Sequence, residues 1–193
     1  MATRADPTSD GQRAAGSDAW VGRMRRVGEV LQGVPRARAW LLAGLWMSLI
    51  WLVSGATFGS SGGPSSMGWF TNLGHAPLFG LLGLWLALTL PRQGGWPRLD
   101  KPAVLRVLAL VAGYALIDEL HQGFVAGRDP SLLDVATDLV GAACTLWIAS
   151  FVPLSRARDG GLGLRLLAAL AACAAAASLA TWLPLAFPEL GWM

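Results

Sequence analysis

Five long apolar runs, separated by short polar stretches, dominate the pattern of the chain. Each run approaches the ~20 residues that an α-helix needs to cross ~30 Å of hydrocarbon. Lipid cannot satisfy open backbone groups, so spans of this length are expected to be helical. The pattern therefore predicts an all-α, polytopic membrane helical bundle of about five transmembrane helices: Ala39–Phe58, Leu73–Leu90, Ala103–Leu120, Leu132–Leu154 and the alanine-rich Leu164–Leu185. A soluble protein with five such buried helices is the weaker alternative.

The residues before the first run have a different character. Residues 1–18 contain almost no large apolar side chains, which predicts a disordered tail. Across residues 19–34, apolar side chains recur at helical spacing and arginines lie on the other faces. This pattern predicts an amphipathic basic helix on an anionic membrane surface, with a soluble linker helix as the alternative.

Composition and charge agree with a membrane protein. Charged residues make up only 14% of the 193 residues, against about 25% in soluble proteins. The net charge of +3 does not indicate nucleic-acid binding, because the basic residues flank the apolar runs instead of clustering with stacking aromatics. Cys144 and Cys173 lie inside apolar runs and are expected to be packing residues, not a disulfide.

The distribution of lysine and arginine predicts the orientation. If the five runs alternate across the membrane, one side carries all but one of the 15 basic residues, and the other side has only Arg128. Basic loops stay in the cytoplasm, so the N-terminus is predicted to be cytoplasmic and the C-terminus extracytoplasmic. By the same alternation, the starts of the second and fourth runs and the end of the third meet at the outer face.

That outer face collects the polar chemistry of the chain. A carboxylate inside a bilayer costs roughly 2.5–3.5 kcal/mol, so it is expected to face protein or a water-filled cavity and to have a partner. Tyr114 and Asp118, with His121 or Gln122, form one polar stripe at helical spacing. The candidate site residues are His75, Asp118, Glu119, His121, Gln122, Arg128, Asp134 and Asp138.

Structural explanations exist for several of these residues. Asp134 follows Ser131 by three positions, as in a capping box at a helix start. Arg128 could simply bridge Glu119 and Asp134. No zinc-type spacing such as His-Glu-x-x-His is present, so we expect no metal and no cofactor.

The same residues resemble the signature of VanZ-like membrane proteins. The likeness rests on Asp118-Glu119-x-His121-Gln122-x-Phe124-Val125-x-Gly127-Arg128, on Asp134-Val135-x-x-Asp138-x-x-Gly141, and on His75 in an earlier span. Two positions depart from the pattern: Ala126 replaces a common proline, and Asn72 stands where a lysine often precedes the histidine. The missing lysine would leave anion binding more dependent on Arg128.

The resemblance implies a four-span membrane domain over residues 39–154. The fifth apolar run lies outside the resemblance and predicts an additional span at 164–186. It also implies a bacterial cytoplasmic membrane protein of envelope biology, in a family whose founding member is associated with resistance to teicoplanin. The family gives no established reaction. It leaves the natural ligand and the oligomeric state open.

Three functions fit these residues. The first is a binding protein in which Arg128 meets the phosphate or carboxylate of an outer-leaflet lipid-linked or glycopeptide molecule, while Gln122, Asp134 and Asp138 position it. The second is an enzyme on a lipid substrate, with catalytic candidates drawn from Glu119, Asp118, His75 and His121 as acid and base. The third is a proton- or ion-coupled transporter, although no second charged cluster lies deeper in the spans or on the inner side.

Overall fold

The described part of the protein is a bundle of five long helices with one short hairpin. The computed structural model describes residues 22–24, 26–56, 66–126, 128, 130–152 and 159–187. The helices are α1 (Arg36–Ser54), α2 (Ser66–Leu88), α3 (Lys101–Gln122), α4 (Leu132–Ala149) and α5 (Asp159–Ala186). The predicted tail at residues 1–18 lies outside the described residues. Residues 22–24 and 26–32 are helical, whereas their placement on a membrane surface stays a prediction.

The helices agree with the predicted apolar runs, with shifted ends. The second helix starts at Ser66, seven residues before its apolar run. The helix therefore includes the last residues of the Gly/Ser-rich sequence that precedes this run. The predicted loop after α2 contains two strands, β1 (Arg92–Gln93) and β2 (Trp96–Pro97). Gly94 and Gly95, with φ of +59° and +81°, make the tight turn between them, a conformation that favours glycine.

Within the described residues, four helices are long and apolar enough to cross a membrane: Arg36–Ser54, Gly68–Leu88, Leu132–Ala149 and Gly161–Pro184. This supports the predicted all-α membrane bundle. The remaining helix, α3, is 22 residues long but carries Lys101, Arg106, Asp118 and Glu119. A fifth span through α3 stays a prediction.

Large apolar side chains cover the outside of the bundle. Leu52 of α1 is 70% exposed and Leu170 of α5 is 67% exposed, and similar residues line the outer face of α3. A water-soluble surface seldom exposes so much contiguous apolar area, whereas lipid solvates it without cost. The exposed leucines therefore mark the lipid-facing surface.

The centre of the bundle is a very close crossing of α2 and α4. A Cβ atom added to Gly141 would lie 2.1 Å from the carbonyl oxygen of Ala76. One added to Gly80 would lie 3.1 Å from the carbonyl oxygen of Gly141. Only glycine lets two helix backbones approach this closely, as in other membrane helix pairs with small residues at the crossing.

Hydrogen bonds show that helices consecutive in the chain run in opposite directions, so α2 and α4 run in the same direction. Arg36 Nε donates to the carbonyl of Thr89 at 2.8 Å, which joins the start of α1 to the residue after α2. Trp96 Nε1 donates to the carbonyl of Ala149 at 3.0 Å, which places the hairpin beside the end of α4. The bundle therefore has a basic end, where α1, α3 and α5 begin, and an acidic end, where these helices finish and α2 and α4 begin.

Candidate functional site

The acidic end holds a network of buried carboxylates, and Asp118 of α3 is its link to α1. Ser54, the last residue of α1, donates its hydroxyl to Asp118 Oδ1 at 2.5 Å. Gln122 Nε2 donates to Asp118 Oδ2 at 3.1 Å and to Glu119 Oε1 at 3.3 Å. Asp118 is 1% exposed, so both of its oxygens are satisfied by protein groups, as a buried carboxylate requires.

Glu119 joins the end of α3 to the start of α4. Its Oε2 accepts a hydrogen bond from the backbone N–H of Ser131 at 2.6 Å. Ser131 is the N-cap of α4, and its hydroxyl accepts from the N–H of Leu133 at 3.2 Å. In a capping box an acid three residues into the same helix would bind that first N–H. Here Glu119, from a different helix, accepts that first N–H.

His75 and Asp138 form a buried pair between α2 and α4. His75 Nδ1 lies 3.1 Å from Asp138 Oδ1, and the two residues are 8% and 1% exposed. Asp134 and Glu119 are close enough to His75 to interact with it electrostatically. The second oxygen of Asp138 is buried and has no hydrogen-bond partner among the described residues.

Arg128 lies at the same end but is not paired with a carboxylate of the described residues. Its guanidinium donates a long hydrogen bond, 3.4 Å, to the carbonyl of Ala56. No salt bridge joins Arg128 to a carboxylate of the described residues. The structure therefore does not show the alternative in which Arg128 bridges Glu119 and Asp134. Arg128 is nevertheless close enough to interact electrostatically with Asp134.

His121 is the one sequence candidate that lies apart from this network. Its ring stacks on Trp51 of α1, with centroids 3.7 Å apart and planes 16° apart. Gly55 leaves room for it, since a Cβ there would lie 3.2 Å from His121 Nε2. His121 packs between α1 and α3, whereas Gln122 takes the position beside Asp118.

A cavity of about 400 Å³ opens beside the network. Its walls are mainly apolar side chains of α1 and α2, including Ile50, Val53, Phe70, Leu78 and Phe79. Its polar lining comes from Ser54, Thr71, His75, Asp118 and Arg128. Ligand sites commonly have this composition, a mostly apolar volume with a few placed polar groups.

The structure thus divides the candidates into two groups. His75, Asp118 and Arg128 line the cavity. A second group lies outside its lining: Glu119, Gln122, Asp134 and Asp138 lie among the carboxylates and the start of α4, and His121 packs on Trp51. Among the described residues, no three His, Cys, Asp or Glu side chains are arranged to hold a metal ion.

Two polar residues of the cavity lining, Ser54 and Thr71, are not among the candidates predicted from the sequence. Thr71 lies four residues before His75 on the same helix face, so helical spacing could have identified it. Ser54 ends an apolar run and carries no pattern that distinguishes it from other small residues. Only the packing of α1 against α3 reveals it as the partner of Asp118.

A family model described as VanZ/LLP1 matches residues 38–153. The chain belongs to the VanZ/LLP1 family. This confirms the resemblance seen in the acidic stretch. The VanZ/LLP1 match includes the whole carboxylate network, the cavity lining and Arg128, and it ends before α5. No curated protein and no solved structure matches the chain.

We expect Glu119→Gln to lose less stability than Glu119→Ala, because the glutamine oxygen can still accept the Ser131 N–H even though its amide nitrogen cannot accept from Gln122. Glu119→Ala should lose about 1–3 kcal/mol of unfolding free energy, since it removes the carboxylate acceptor of a partly buried N–H. Unfolding by sodium dodecyl sulfate, followed by tryptophan fluorescence, would measure both. Equal losses in the two variants would contradict the capping role.

Proposed function

We propose that the protein binds an anionic amphiphile at the outer leaflet of the bacterial cytoplasmic membrane. The apolar cavity would hold part of a lipid chain, and Arg128 would bind the phosphate or carboxylate of its head. The observation that carries the proposal is Arg128, which has no carboxylate partner among the described residues and lines an apolar cavity of about 400 Å³. A guanidinium offers a fork of N–H donors that matches a phosphate or carboxylate.

The carboxylates support this site by positioning its walls. Asp118 is held by Ser54 and Gln122, and Glu119 anchors the start of α4. Asp138 fixes His75 through Nδ1, which leaves the Nε2 atom of this cavity-lining ring for a ligand. The site therefore has two nitrogen-bearing side chains, Arg128 and His75, that could meet an anion.

The outer-leaflet placement rests on charge. Arg128 is the one described Lys or Arg at the acidic end, while Arg36, Arg92, Arg98, Lys101 and Arg165 lie at the basic end. A basic cytoplasmic end follows the usual distribution in membrane proteins. Family membership adds the setting, because it suggests a link to resistance against agents that act on lipid-linked wall precursors.

Enzymatic catalysis has less support from the same geometry. A general base must lie within hydrogen-bond reach of the proton that it takes from a bound substrate, and competing hydrogen bonds hold it away from that position. Glu119 uses one oxygen for Ser131 and the other for Gln122, and it does not line the cavity. Asp118 lines the cavity, but both of its oxygens accept hydrogen bonds.

The test uses a short-chain prenyl phosphate that carries a photoreactive group and does not cross membranes. We expect Arg128→Gln to reduce its cross-linking about tenfold or more, because a charge-assisted hydrogen bond contributes about 1.5–3 kcal/mol. Arg128→Lys should retain part of the binding. Labelling should occur in right-side-out vesicles and be weak in inside-out vesicles.

Two controls make the result interpretable. Arg98→Gln changes an exposed arginine that pairs with Asp100 at the basic end, so it should label like the unaltered protein. A matched prenyl alcohol without phosphate should label weakly and show no dependence on Arg128. Undiminished labelling of Arg128→Gln by the phosphate probe would overturn the proposed site.

We extend the proposal to protection against a lipoglycopeptide such as teicoplanin. Expression in a susceptible bacterium should raise the inhibitory concentration if ligand binding at Arg128 protects the cell. Arg128→Gln should then abolish protection at equal membrane abundance. Protection that persists in this variant would separate the resistance from the cavity.

A further inference from the structure

A second groove lies at the basic end, far from the cavity of the acidic end. It has a volume of about 290 Å³ and runs between the first half of α3 and the second half of α4. Its lining residues are Leu99, Lys101, Val104, Leu105, Ala143, Leu146, Trp147 and Ser150. Most of these side chains are partly or fully exposed, so the groove opens sideways, on the lipid-facing periphery of the bundle.

The groove is polar at its terminal end and apolar toward the middle of the bundle. Lys101 begins α3 and Ser150 follows the end of α4, so both lie at the terminal end. Moving inward, α3 contributes Leu105 and α4 contributes Ala143. This order of polar and apolar groups along the helix axes matches that of a phospholipid, in which the head lies outside the chains.

A second cation stands at the edge of the same groove. Arg165 of α5 lies over the ring of Trp147, with its guanidinium carbon 4.8 Å from the centroid. Its NH1 donates to the carbonyl of Trp147 at 2.8 Å and approaches Ser150 Oγ at 3.5 Å. These contacts hold the guanidinium beside the mouth of the groove. Its remaining N–H donors have no acceptor among the described residues.

We propose that this groove binds an anionic phospholipid. Lys101, Ser150 and Arg165 would contact the phosphate and headgroup, and one acyl chain would lie along Leu105 and Ala143 beside Trp147. Basic pockets between membrane helices are suited to anionic lipid heads, because each nearby cation adds to the attraction. The site is independent of the proposed function at the acidic end, since the two share no residue.

The site also gives α5 a role. The family match ends at residue 153, and Arg165 lies in the helix that follows it. A lipid bound at Lys101 and Arg165 would connect α3 and α4 of the matched region to α5. The proposed lipid would thus fasten the additional helix to the bundle at the basic end.

The experiment uses the full chain in neutral detergent and phosphatidylglycerol with a diazirine in one acyl chain. Cross-links should map to the first half of α3 and the second half of α4. Phosphatidylcholine with the same chains should label these peptides at least fivefold less. Lys101→Gln should weaken phosphatidylglycerol labelling about fivefold, and Lys101→Gln with Arg165→Gln more strongly still.

Two further variants make the outcome decisive. Ala143→Phe fills the groove at an exposed position, so it should remove the mapped cross-link for both lipids without disturbing the core. Arg128→Gln changes a cation at the other end and should have no effect on this cross-link. Equal labelling by the two lipids, or labelling unchanged by Lys101→Gln, would overturn the proposal. If the double variant fails to fold, the results for Lys101→Gln and Ala143→Phe show whether the groove binds the anionic phospholipid.

Discussion

Gly141→Ala should destabilise the protein severely, although it adds only one methyl group. The new Cβ would lie 2.1 Å from the Ala76 carbonyl oxygen and 2.6 Å from two further backbone atoms of Ala76. A side chain could rotate away from such a contact, but helix backbone cannot. Overpacking costs about 1–3 kcal/mol where side chains can adjust, and we expect a loss at or above the top of that range.

The chain offers a matched control for the same chemical change. Gly113 of α3 has no heavy atom within 4 Å of an added Cβ, and its backbone φ is not positive. Gly113→Ala should be neutral or stabilising by up to about 1 kcal/mol, because alanine is the better helix former. Thermal unfolding in detergent, followed by tryptophan fluorescence, would compare the two variants directly.

Gly80→Ala should fall between these extremes. Its added Cβ would meet Thr145 Oγ1 at 2.6 Å, and that side chain can move. The carbonyl oxygen of Gly141, at 3.1 Å, needs only a small shift. The order of stability is therefore Gly113→Ala, then Gly80→Ala, then Gly141→Ala. A Gly141→Ala protein as stable as Gly113→Ala would contradict the close crossing of α2 and α4.

The sequence predicted the bundle because its apolar runs are long and nearly continuous. Five apolar runs of near-spanning length leave few alternatives to helices in lipid. It also predicted that His75, Asp118 and Asp138 would meet at one end, because alternation of the helices follows from short connections. The hairpin at Gly94 and Gly95 was missed, since a pair of two-residue strands leaves no hydrophobic period to detect.

Individual partners within the site could not be predicted. Helical spacing placed both His121 and Gln122 near Asp118, and it could not decide which of them bonds to Asp118 and which stacks on Trp51. That choice depends on the rotation of α3 against α1, which is set by packing. The hydrogen bond from the Ser131 N–H to Glu119 is likewise a contact between two helices, and no sequence pattern within either helix predicts it.

Asn72 shows how a departure from the family pattern can follow from packing. Its amide donates to Thr181 Oγ1 of α5 at 3.0 Å. Nearby, Trp69 Nε1 donates to Ser178 Oγ at 3.1 Å. Both partners lie in the helix beyond the VanZ/LLP1 match. An asparagine at this position fastens α5 to α2 inside the membrane, whereas a lysine would bring a charge to the same helix contact.

His75→Leu should cost roughly 3–5 kcal/mol, the usual effect of removing one partner from a buried, hydrogen-bonded pair of ionisable groups. Asp138 Oδ2 already lacks a partner among the described residues, so losing His75 would leave the whole carboxyl group unsatisfied. Asp138→Leu should be costly for the reciprocal reason, because His75 would lose its only described hydrogen-bond partner. Unfolding by sodium dodecyl sulfate would give both free energies.

The double variant His75→Leu with Asp138→Leu tests whether the pair acts as a unit. Two apolar side chains need no hydrogen-bond partners, so the double variant should be more stable than the sum of the single losses predicts, by about 1–3 kcal/mol. Losses that simply add would mean that the two residues are not coupled. If the two residues are coupled and can be replaced together without unfolding the bundle, the fold does not require the pair. Its role would then be in the cavity, where His75 would contact a ligand. The prenyl phosphate probe should in that case label the double variant less than the unaltered protein.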